Sequence, residues 1–307
     1  MRIAVTGASG TVGRAFVKAA HDAGHTLLLL GRQRPVGMDD LAYYHHVDLD
    51  ERGPAPELVD ALKGVDVVLH LAARIDTNPK DDDAALALFN TNVLGTGYLI
   101  GLLGLAQVER LVVASSANIY DPRVEVADEE TPIRPLSRTL YLTSKAAQEA
   151  YAREQCQTHG IHCAIARLSS VVATGDDIVT RLATKISCGE PVTLSNPEYG
   201  ADFIALDDVV QGLLIIIDQK LEGDFNISTG KRRTLLQIVD IIAQRLKKSP
   251  QLRGVGETQT KDQGFPAIDC SRLRQRGFAA QPLAKVIDRL CLSLDPTPSE
   301  ARKAPLR

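Results

Sequence analysis

Residues 3–16 read IAVTGASGTVGRAF, which joins a short apolar run to a helix-forming segment through three glycines spaced three residues apart. Glycine permits a tight turn and a close approach of the backbone to a pyrophosphate. The helix that follows offers free N–H groups and the positive end of its dipole. This order of strand, turn and helix predicts a dinucleotide-binding loop. The residues predicted to hold the phosphates are Gly7, Ser9, Gly10, Thr11, Val12 and Gly13.

This loop opens a chain whose first 170 or so residues alternate apolar runs with helix-patterned segments. The runs are IAV, TLLLL, VDVVLHLA, RLVVAS and HCAIARLSS. Such alternation is typical of βαβ units and predicts an α/β fold with a doubly wound, Rossmann-type parallel sheet. Beyond this region the alternation weakens, which favours a smaller C-terminal α/β lobe for the substrate.

The same patterns set the expected domain boundaries. We expect the dinucleotide-binding domain to cover residues 1–168, with a return segment at about 202–220. The substrate lobe would then contain about 169–201 and 221–295. Residues 296–307 are rich in proline and charge, which predicts a disordered tail.

The bulk composition excludes several classes of function. The 307 residues carry a formal charge of −3, which argues against nucleic acid or an anionic membrane surface as a partner. The start MRIAVTG enters a strand pattern at once, and no stretch reaches the roughly 18 consecutive apolar residues of a membrane span. We therefore expect a cytoplasmic protein. Five scattered cysteines and the pair His45–His46 lack the spacing of a metal site, so no metal is expected.

Residues 141–145, YLTSK, contain a candidate catalytic pair. On a helix, Tyr141 and Lys145 lie one turn apart on the same face. A neighbouring cation favours the phenolate of a tyrosine, whose ordinary pKa is roughly 10, and brings it nearer to use as a base. By itself this spacing also fits two surface side chains, so the rest of the chain must decide.

The glycine loop and five further motifs resemble the short-chain dehydrogenase/reductase family, in particular its extended, sugar-epimerase-like branch. The loop has the spacing G-x-x-G-x-x-G, and the pattern ADFIALDDVVQGL with GDFNISTG resembles the C-terminal part of that branch. The remaining motifs are HLAA at 70–73, NTNVLGT at 90–96, SSANIY at 115–120 and YLTSK. Together these motifs cover about residues 3–230, so chance does not explain the tyrosine–lysine pair.

This resemblance implies roles for individual residues. Tyr141 would transfer the hydroxyl proton, Lys145 would lower its pKa and hold the nicotinamide ribose, and Ser116 would hydrogen-bond the substrate oxygen. Asn92 falls on the family's structural and proton-relay asparagine, and either role is open. The segments beside the dinucleotide are Leu71, Ala72 and Ala73, with Asp48 and Leu49 at the adenine. The family also implies a homodimer formed by the helices that contain Asn92 and Tyr141.

The end of the second strand bears on the choice of dinucleotide. An acidic residue about 20 positions beyond the loop usually accepts the ribose hydroxyls of NAD, whereas an arginine accommodates the 2′-phosphate of NADP. Here the strand ends LLLLGRQR, with Arg32 and Arg34 where the acid would stand. This favours NADP, although NAD stays possible if both arginines are merely solvated loop charges.

Three hypotheses of function follow. The first is an NAD(P)-dependent reductase or dehydrogenase that transfers hydride at a secondary alcohol or ketone of a sugar-like or natural-product substrate. The second is an epimerase of sugars or nucleotide sugars that retains NAD. The third is a non-enzymatic dinucleotide sensor, against which the full set of Ser116, Tyr141 and Lys145 argues.

Departures from the family's pattern narrow the range of expected substrates. Ala117 and Asn118 stand where dehydratases carry an Asp-Glu pair, which argues against a sugar dehydratase. Ala201 and Ala205 stand where epimerases of nucleotide sugars commonly carry an arginine and a histidine. A lost guanidinium removes the bidentate partner of a diphosphate. The candidates to replace it are Arg181, Lys185 and Arg232.

Overall fold

A computed structural model describes residues 1–135, 139–173, 175, 177–254 and 262–294 of the chain. The segment 296–307, which the sequence predicts to be a disordered tail, lies outside the described residues. In the described part, the strands are β1 Arg2–Thr6, β2 Thr26–Gly31, β3 Tyr43–His46, β4 Val67–His70, β5 Arg110–Ser116, β6 Val126–Ala127, β7 His162–Leu168, β8 Ser170–Val172, β9 Val192–Thr193, β10 Gly200–Ala205, β11 Gly223–Ile227, β12 Arg232–Thr234, β13 Leu252–Arg253 and β14 Ala267–Ile268.

The described helices alternate with the strands over the first half of the chain. They are α1 Thr11–Asp22, α2 Pro56–Leu62, α3 Asp82–Phe89, α4 Gly95–Leu105, α5 Leu140–His159, α6 Ile178–Cys188, α7 Leu206–Asp218, α8 Leu235–Leu246, α9 Ser271–Arg274 and α10 Leu283–Leu294. A π-helical turn, Asn90–Leu94, joins α3 to α4 without a break.

The main sheet, within the described residues, has seven strands in the order β3-β2-β1-β4-β5-β7-β11, and every neighbouring pair is parallel. One face packs against α1 and α7, and the other packs against α2, α4 and α5. Because both faces are covered, the inner strands are continuous apolar runs rather than alternating ones. The predicted doubly wound, Rossmann-type sheet is confirmed.

The turn after β1 requires glycine at two positions. Gly7 has φ +71°, and a Cβ there would lie 2.6 Å from the backbone nitrogen of Ala72. A Cβ at Gly13 would lie 2.3 Å from the carbonyl oxygen of Gly7. These contacts hold the loop between β4 and the start of α1, with the first turn of α1 directed at the carboxyl edge of the sheet.

The smaller lobe is built on a three-stranded sheet with the order β12-β10-β8. Helices α6, α8 and α10 cover it and share one apolar core with it. Two short strand pairs, β9 with β13 and β6 with β14, complete the described strands.

Two parts of the expected domain division need correction. The return segment was expected at about 202–220, but β10 belongs to the smaller sheet, and α7 is the element that packs back onto the main sheet. The strand β11 was expected in the substrate lobe, but it pairs with β7 at the edge of the main sheet. Strand pairing is a long-range contact, so the short sequence of β11 contains no signal for its partner.

The helix formed by residues 82–105 is long and apolar enough to cross a membrane by length and composition alone. This qualifies the expectation drawn from consecutive apolar residues, because the helix contains polar residues between its apolar ones. Within its most apolar window, 44% of the residues are buried inside the fold. Asn92 and Thr96, in the middle of the helix, make buried hydrogen bonds to neighbouring elements.

Candidate active site

A cavity of about 760 Å³ lies at the carboxyl ends of β1, β2 and β4. This edge of a doubly wound sheet is where such folds bind their ligands. Nine of the residues predicted to contact a dinucleotide line the cavity: Gly7, Ser9, Gly10, Arg32, Asp48, Leu49, Leu71, Ala72 and Ala73. The other predicted contacts, Thr11, Val12, Gly13, Tyr141 and Lys145, are not among its lining residues. The first three form the first turn of α1 beside the cavity, and the last two are on α5.

The volume and the lining of the cavity suit a dinucleotide. Its volume lies in the range of small-molecule sites. Gly10 is the N-cap of α1 and supplies no side-chain hydrogen bond to that helix. The N–H groups of the first turn, which have no partner within a helix, therefore remain available for phosphate oxygens.

Four arginines line this cavity, and the three that lie near β1 and β2 in the sequence differ in their contacts. The guanidinium of Arg14 donates to the backbone oxygens of Ser9 and Val36. Arg34 pairs with Asp39 at 3.0 Å. The guanidinium of Arg32 has no hydrogen bond or ion pair with any other residue in the described part of the chain. Its charge is therefore available to a ligand.

The proposed catalytic side chains come from β5 and α5. Ser116 ends β5, and its hydroxyl oxygen accepts a hydrogen bond from the backbone nitrogen of Asn118 at 3.2 Å. Thr139 caps α5, which places Tyr141 in the first turn of that helix and Lys145 one turn later. The ammonium of Lys145 donates to the carbonyl oxygen of Ala114 at 2.7 Å, so it lies beside the end of β5.

The electrostatics of the tyrosine–lysine pair differ from the expectation. Burial raises the pKa of Tyr141 to about 12 and lowers the pKa of Lys145 to about 8. The expected lowering of the tyrosine pKa by the lysine is not found. The reason is geometric: the ammonium is directed at Ala114 and at the side chain of Gln148, 2.6 Å away. Burial therefore dominates the environment of the phenol.

Asn92 lies in the π-helical turn and is fully buried. Its side-chain oxygen accepts from the backbone nitrogen of Arg74 at 2.7 Å, and its amide donates to the backbone oxygen of Arg74 and to Ser144. The hydroxyl of Ser144 in turn donates to the carbonyl oxygen of Tyr141. Asn92 thus links the loop after β4 to the first turn of α5 through hydrogen bonds.

Four buried polar residues near the site have no assigned role in the sequence prediction. They are Thr6, His70, Thr96 and Gln148, and each makes at least one hydrogen bond to another of the four. A sequence signal existed for two of them. Thr96 lies four residues after Asn92, and Gln148 lies three residues after Lys145, so each shares a helix face with a motif residue.

The positions that face a sugar diphosphate in nucleotide-sugar epimerases are apolar here. Ala201 and Ala205 are both buried in the core of the smaller lobe. Arg232, a candidate to replace the missing guanidinium, donates to the backbone oxygens of Glu198 and Phe265 and so has a structural role. Lys185 is exposed on α6.

A parallel doubly wound sheet with a glycine loop and a cavity at its carboxyl edge is the architecture of nicotinamide-dependent enzymes of the short-chain dehydrogenase/reductase type. The chain belongs to the NAD-dependent epimerase/dehydratase family, whose model matches residues 3–228. The resemblance inferred from the motifs is confirmed. Because the family and its relatives are NAD(P)-dependent enzymes, the alternative of a non-enzymatic sensor is set aside.

Individual relatives catalyse different reactions. An L-arabinose 1-dehydrogenase (NAD(P)(+)) of Haloferax volcanii is 32% identical over 191 residues, which are 58% of this chain and 69% of that protein. A dTDP-4-dehydro-6-deoxy-D-allose reductase of a Streptomyces species is 23% identical and covers 92% of both chains.

Solved structures show the same fold along nearly the whole chain. MoeE5 in complex with UDP-glucuronic acid and NAD has a TM-score of 0.80 and 26% identity, covering 94% of this chain and 96% of its own. The UDP-glucose 4-epimerase of Thermus thermophilus, in complex with NAD, has a TM-score of 0.80 and 23% identity, covering 97% of this chain and 100% of its own.

Proposed function

We propose that the protein is an NADP-preferring reductase or dehydrogenase that transfers hydride at a secondary alcohol or ketone of a sugar-like or natural-product molecule. The observation that carries this proposal is Arg32, an uncommitted guanidinium at the end of β2 where NAD-specific folds hold an acid. A planar guanidinium matches a 2′-phosphate bidentately.

The site residues would divide the chemistry as follows. The bound dinucleotide would supply or accept the hydride. Tyr141, which burial keeps protonated at neutral pH, would donate the proton to a ketone oxygen during reduction. Ser116 would donate a hydrogen bond to the same oxygen, and Lys145 would hold the nicotinamide ribose. For Asn92 the three hydrogen bonds of its side chain favour the bridging role over a proton relay.

The substrate would be simpler than a nucleotide sugar. Buried alanines replace the arginine and histidine of nucleotide-sugar epimerases, and Arg232 already binds backbone oxygens. Ala117 and Asn118 place no carboxylate beside Ser116, so elimination of water has no acid or base there. The relative that oxidises L-arabinose, a free sugar, is in accord with this proposal.

An epimerase with retained NAD is the second candidate, and the ligands of MoeE5 favour it. The deciding experiment denatures freshly purified protein and identifies any nucleotide released. The stripped protein is then assayed with NADPH and NADH against free sugars and keto compounds, and in parallel against UDP- and dTDP-sugars. An exchangeable dinucleotide with turnover of a free sugar or ketone is the expected result. Stoichiometric retained NAD with turnover of a nucleotide sugar would contradict it.

Arg32→Ser is expected to weaken NADPH binding by about 10- to 100-fold, because one charge-assisted contact to the 2′-phosphate is lost. The affinity for NADH should change less than about 2-fold. Calorimetric titration of both dinucleotides measures this. Arg34→Ser is the matched control, since Asp39 already pairs with that guanidinium, and its two affinities should stay near those of the unaltered protein. Equal losses for NADPH and NADH in Arg32→Ser would remove the argument for NADP.

We also propose a homodimer formed through α4 and α5, in a cytoplasmic setting that suits the five free thiols. The support for the dimer is an exposed apolar side of the long helix, where Leu94 and Leu105 lie three turns apart. Leu105→Glu should convert the dimer to a monomer in sedimentation velocity. Leu292→Glu, at an equally exposed leucine of α10, should leave the dimer intact. A monomeric unaltered protein would contradict the proposal.

A further inference from the structure

A continuous chain of buried hydrogen bonds leads away from the ammonium of Lys145. The ammonium donates to Oε1 of Gln148 at 2.6 Å, and Nε2 of Gln148 donates to the hydroxyl of Thr96 at 2.8 Å. The Thr96 hydroxyl lies 2.9 Å from Nε2 of His70, and Nδ1 of His70 lies 2.7 Å from the hydroxyl of Thr6. All five side chains are buried.

The donors and acceptors of this chain can be assigned uniquely. The hydroxyl of Thr96 donates its one proton to the carbonyl oxygen of Asn92 at 2.6 Å, so it must accept from both Gln148 and His70. His70 therefore carries its proton on Nε2. Its Nδ1 accepts from Thr6, because burial, and then the charge of Lys145, lowers the pKa of His70 to about 3.

The far end of the chain reaches the dinucleotide cavity. The hydroxyl of Thr6 accepts from the backbone nitrogen of Ala72 at 3.1 Å, and both residues line the cavity. Lys145 has three N–H donors, and two of them are bound to Ala114 and Gln148. The third N–H has no hydrogen-bond partner among the described residues.

We propose that Gln148 is a positioning residue for Lys145: held by Thr96 and His70, its amide oxygen fixes the ammonium so that one N–H is directed at the bound dinucleotide. This inference rests on the proposed role of Lys145 at the nicotinamide ribose. A glutamine suits the position because it accepts from the lysine and donates to Thr96 at once. A leucine or methionine could do neither.

Several titratable groups face the ammonium from the elements packed against it. Glu149 is on its own helix and His70 comes from β4, while Tyr141 lies one turn earlier on the same helix. Glu149 favours the charged lysine, but it is itself bound by Arg167 at 2.8 Å. His70 is neutral, and Tyr141 is protonated. The amide oxygen of Gln148 is therefore the neutral contact that a substitution can change without altering the other charges.

The test is the pH dependence of NADPH binding between pH 6 and 10, followed by the fluorescence of bound NADPH. Affinity should fall as Lys145 loses its proton, near pH 8. Gln148→Met removes the acceptor and should move the midpoint of this fall down by about one pH unit. Gln148→Glu places a carboxylate beside the ammonium and should move the midpoint up. Gln157→Met, at an exposed glutamine near the end of the same helix, should leave it unchanged.

The outcomes separate this inference from the proposed function. Lys145→Met should abolish the pH-dependent fall, and persistence of the fall in that variant would contradict the proposed role of Lys145. If Lys145→Met abolishes the fall but both Gln148 variants keep the midpoint of the unaltered protein, the positioning role is overturned. A loss of affinity of equal size at every pH in both Gln148 variants would likewise overturn it, because a merely structural residue has that effect.

Discussion

Tyr141→Phe is expected to lower turnover by about a hundred- to ten-thousand-fold on the best substrate identified, because it removes the group that exchanges the substrate's hydroxyl proton. The dissociation constant of the reduced dinucleotide should change less than about 2-fold, since the proposed role of the phenol is in the chemical step rather than in binding. Steady-state rates and a binding titration measure the two quantities separately.

Tyr151→Phe is the matched control for this experiment. Tyr151 is on the same helix, and its ring packs against Gly97 on α4, away from the carboxyl edge of the main sheet. It loses the same hydroxyl group but should retain full turnover. A Tyr141→Phe enzyme that keeps more than about a tenth of its rate would remove Tyr141 from the mechanism, given the size of general acid–base effects.

The pKa of Tyr141 adds a directional test to the same assay. With its pKa raised to about 12 by burial, the phenol is protonated from neutral pH to about pH 10. The rate of ketone reduction at saturating dinucleotide should therefore be nearly flat across that range. The rate of alcohol oxidation needs the phenolate and should rise with pH over the same range. A reduction rate that falls steeply above pH 7 would show that bound dinucleotide lowers the tyrosine pKa.

The parts of the fold that could be predicted are those with a local cause. The turn after β1 follows from a glycine that must adopt φ +71° at Gly7. The main strands are continuous apolar runs because both faces are covered, and α5 begins where Thr139 can cap it. The pairing of Tyr141 with Lys145 in YLTSK could be predicted because a helix brings residues four apart onto one face.

The parts that could not be predicted depend on contacts between distant segments. The residues of β11 contain no local signal that this strand pairs with β7. For that reason the substrate lobe was wrongly expected to resume at residue 221. The direction of the Lys145 ammonium is set by Gln148, whose rotamer is in turn set by Thr96 on another helix. Helix periodicity gives the face of a side chain but not its hydrogen-bond partner.

Arg167→Met is expected to destabilise the fold by about 3–5 kcal/mol, because it removes one partner of a buried ion pair. The guanidinium is 2% exposed and binds Glu149 through both of its carboxylate oxygens, at 3.0 and 2.8 Å. It also donates to Asp224 and to the hydroxyl of Tyr120. The single contact from Arg153 would be left to Glu149, whose side chain is 1% exposed. Denaturant unfolding measures the loss.

Arg123→Met is the control of equal chemistry at the surface. Arg123 donates hydrogen bonds to Asp121 from two nitrogens, as Arg167 does to Glu149. The side chain of Arg123, however, is 61% exposed. Water screens that pair, so its loss should destabilise the fold far less than the loss of Arg167. Similar losses in the two variants would show that burial does not decide the value of these ion pairs.

The double variant Arg167→Met with Glu149→Leu distinguishes an unpaired charge from lost packing. Removing both charges abolishes the desolvated carboxylate, and Arg153 is exposed enough to turn toward solvent. If the unpaired charge causes the loss, the double variant should recover at least half of the free energy of unfolding lost by the single one. If the double variant is no more stable, the loss comes from the packing of the arginine stem between α5 and β7, and the ion pair itself adds little.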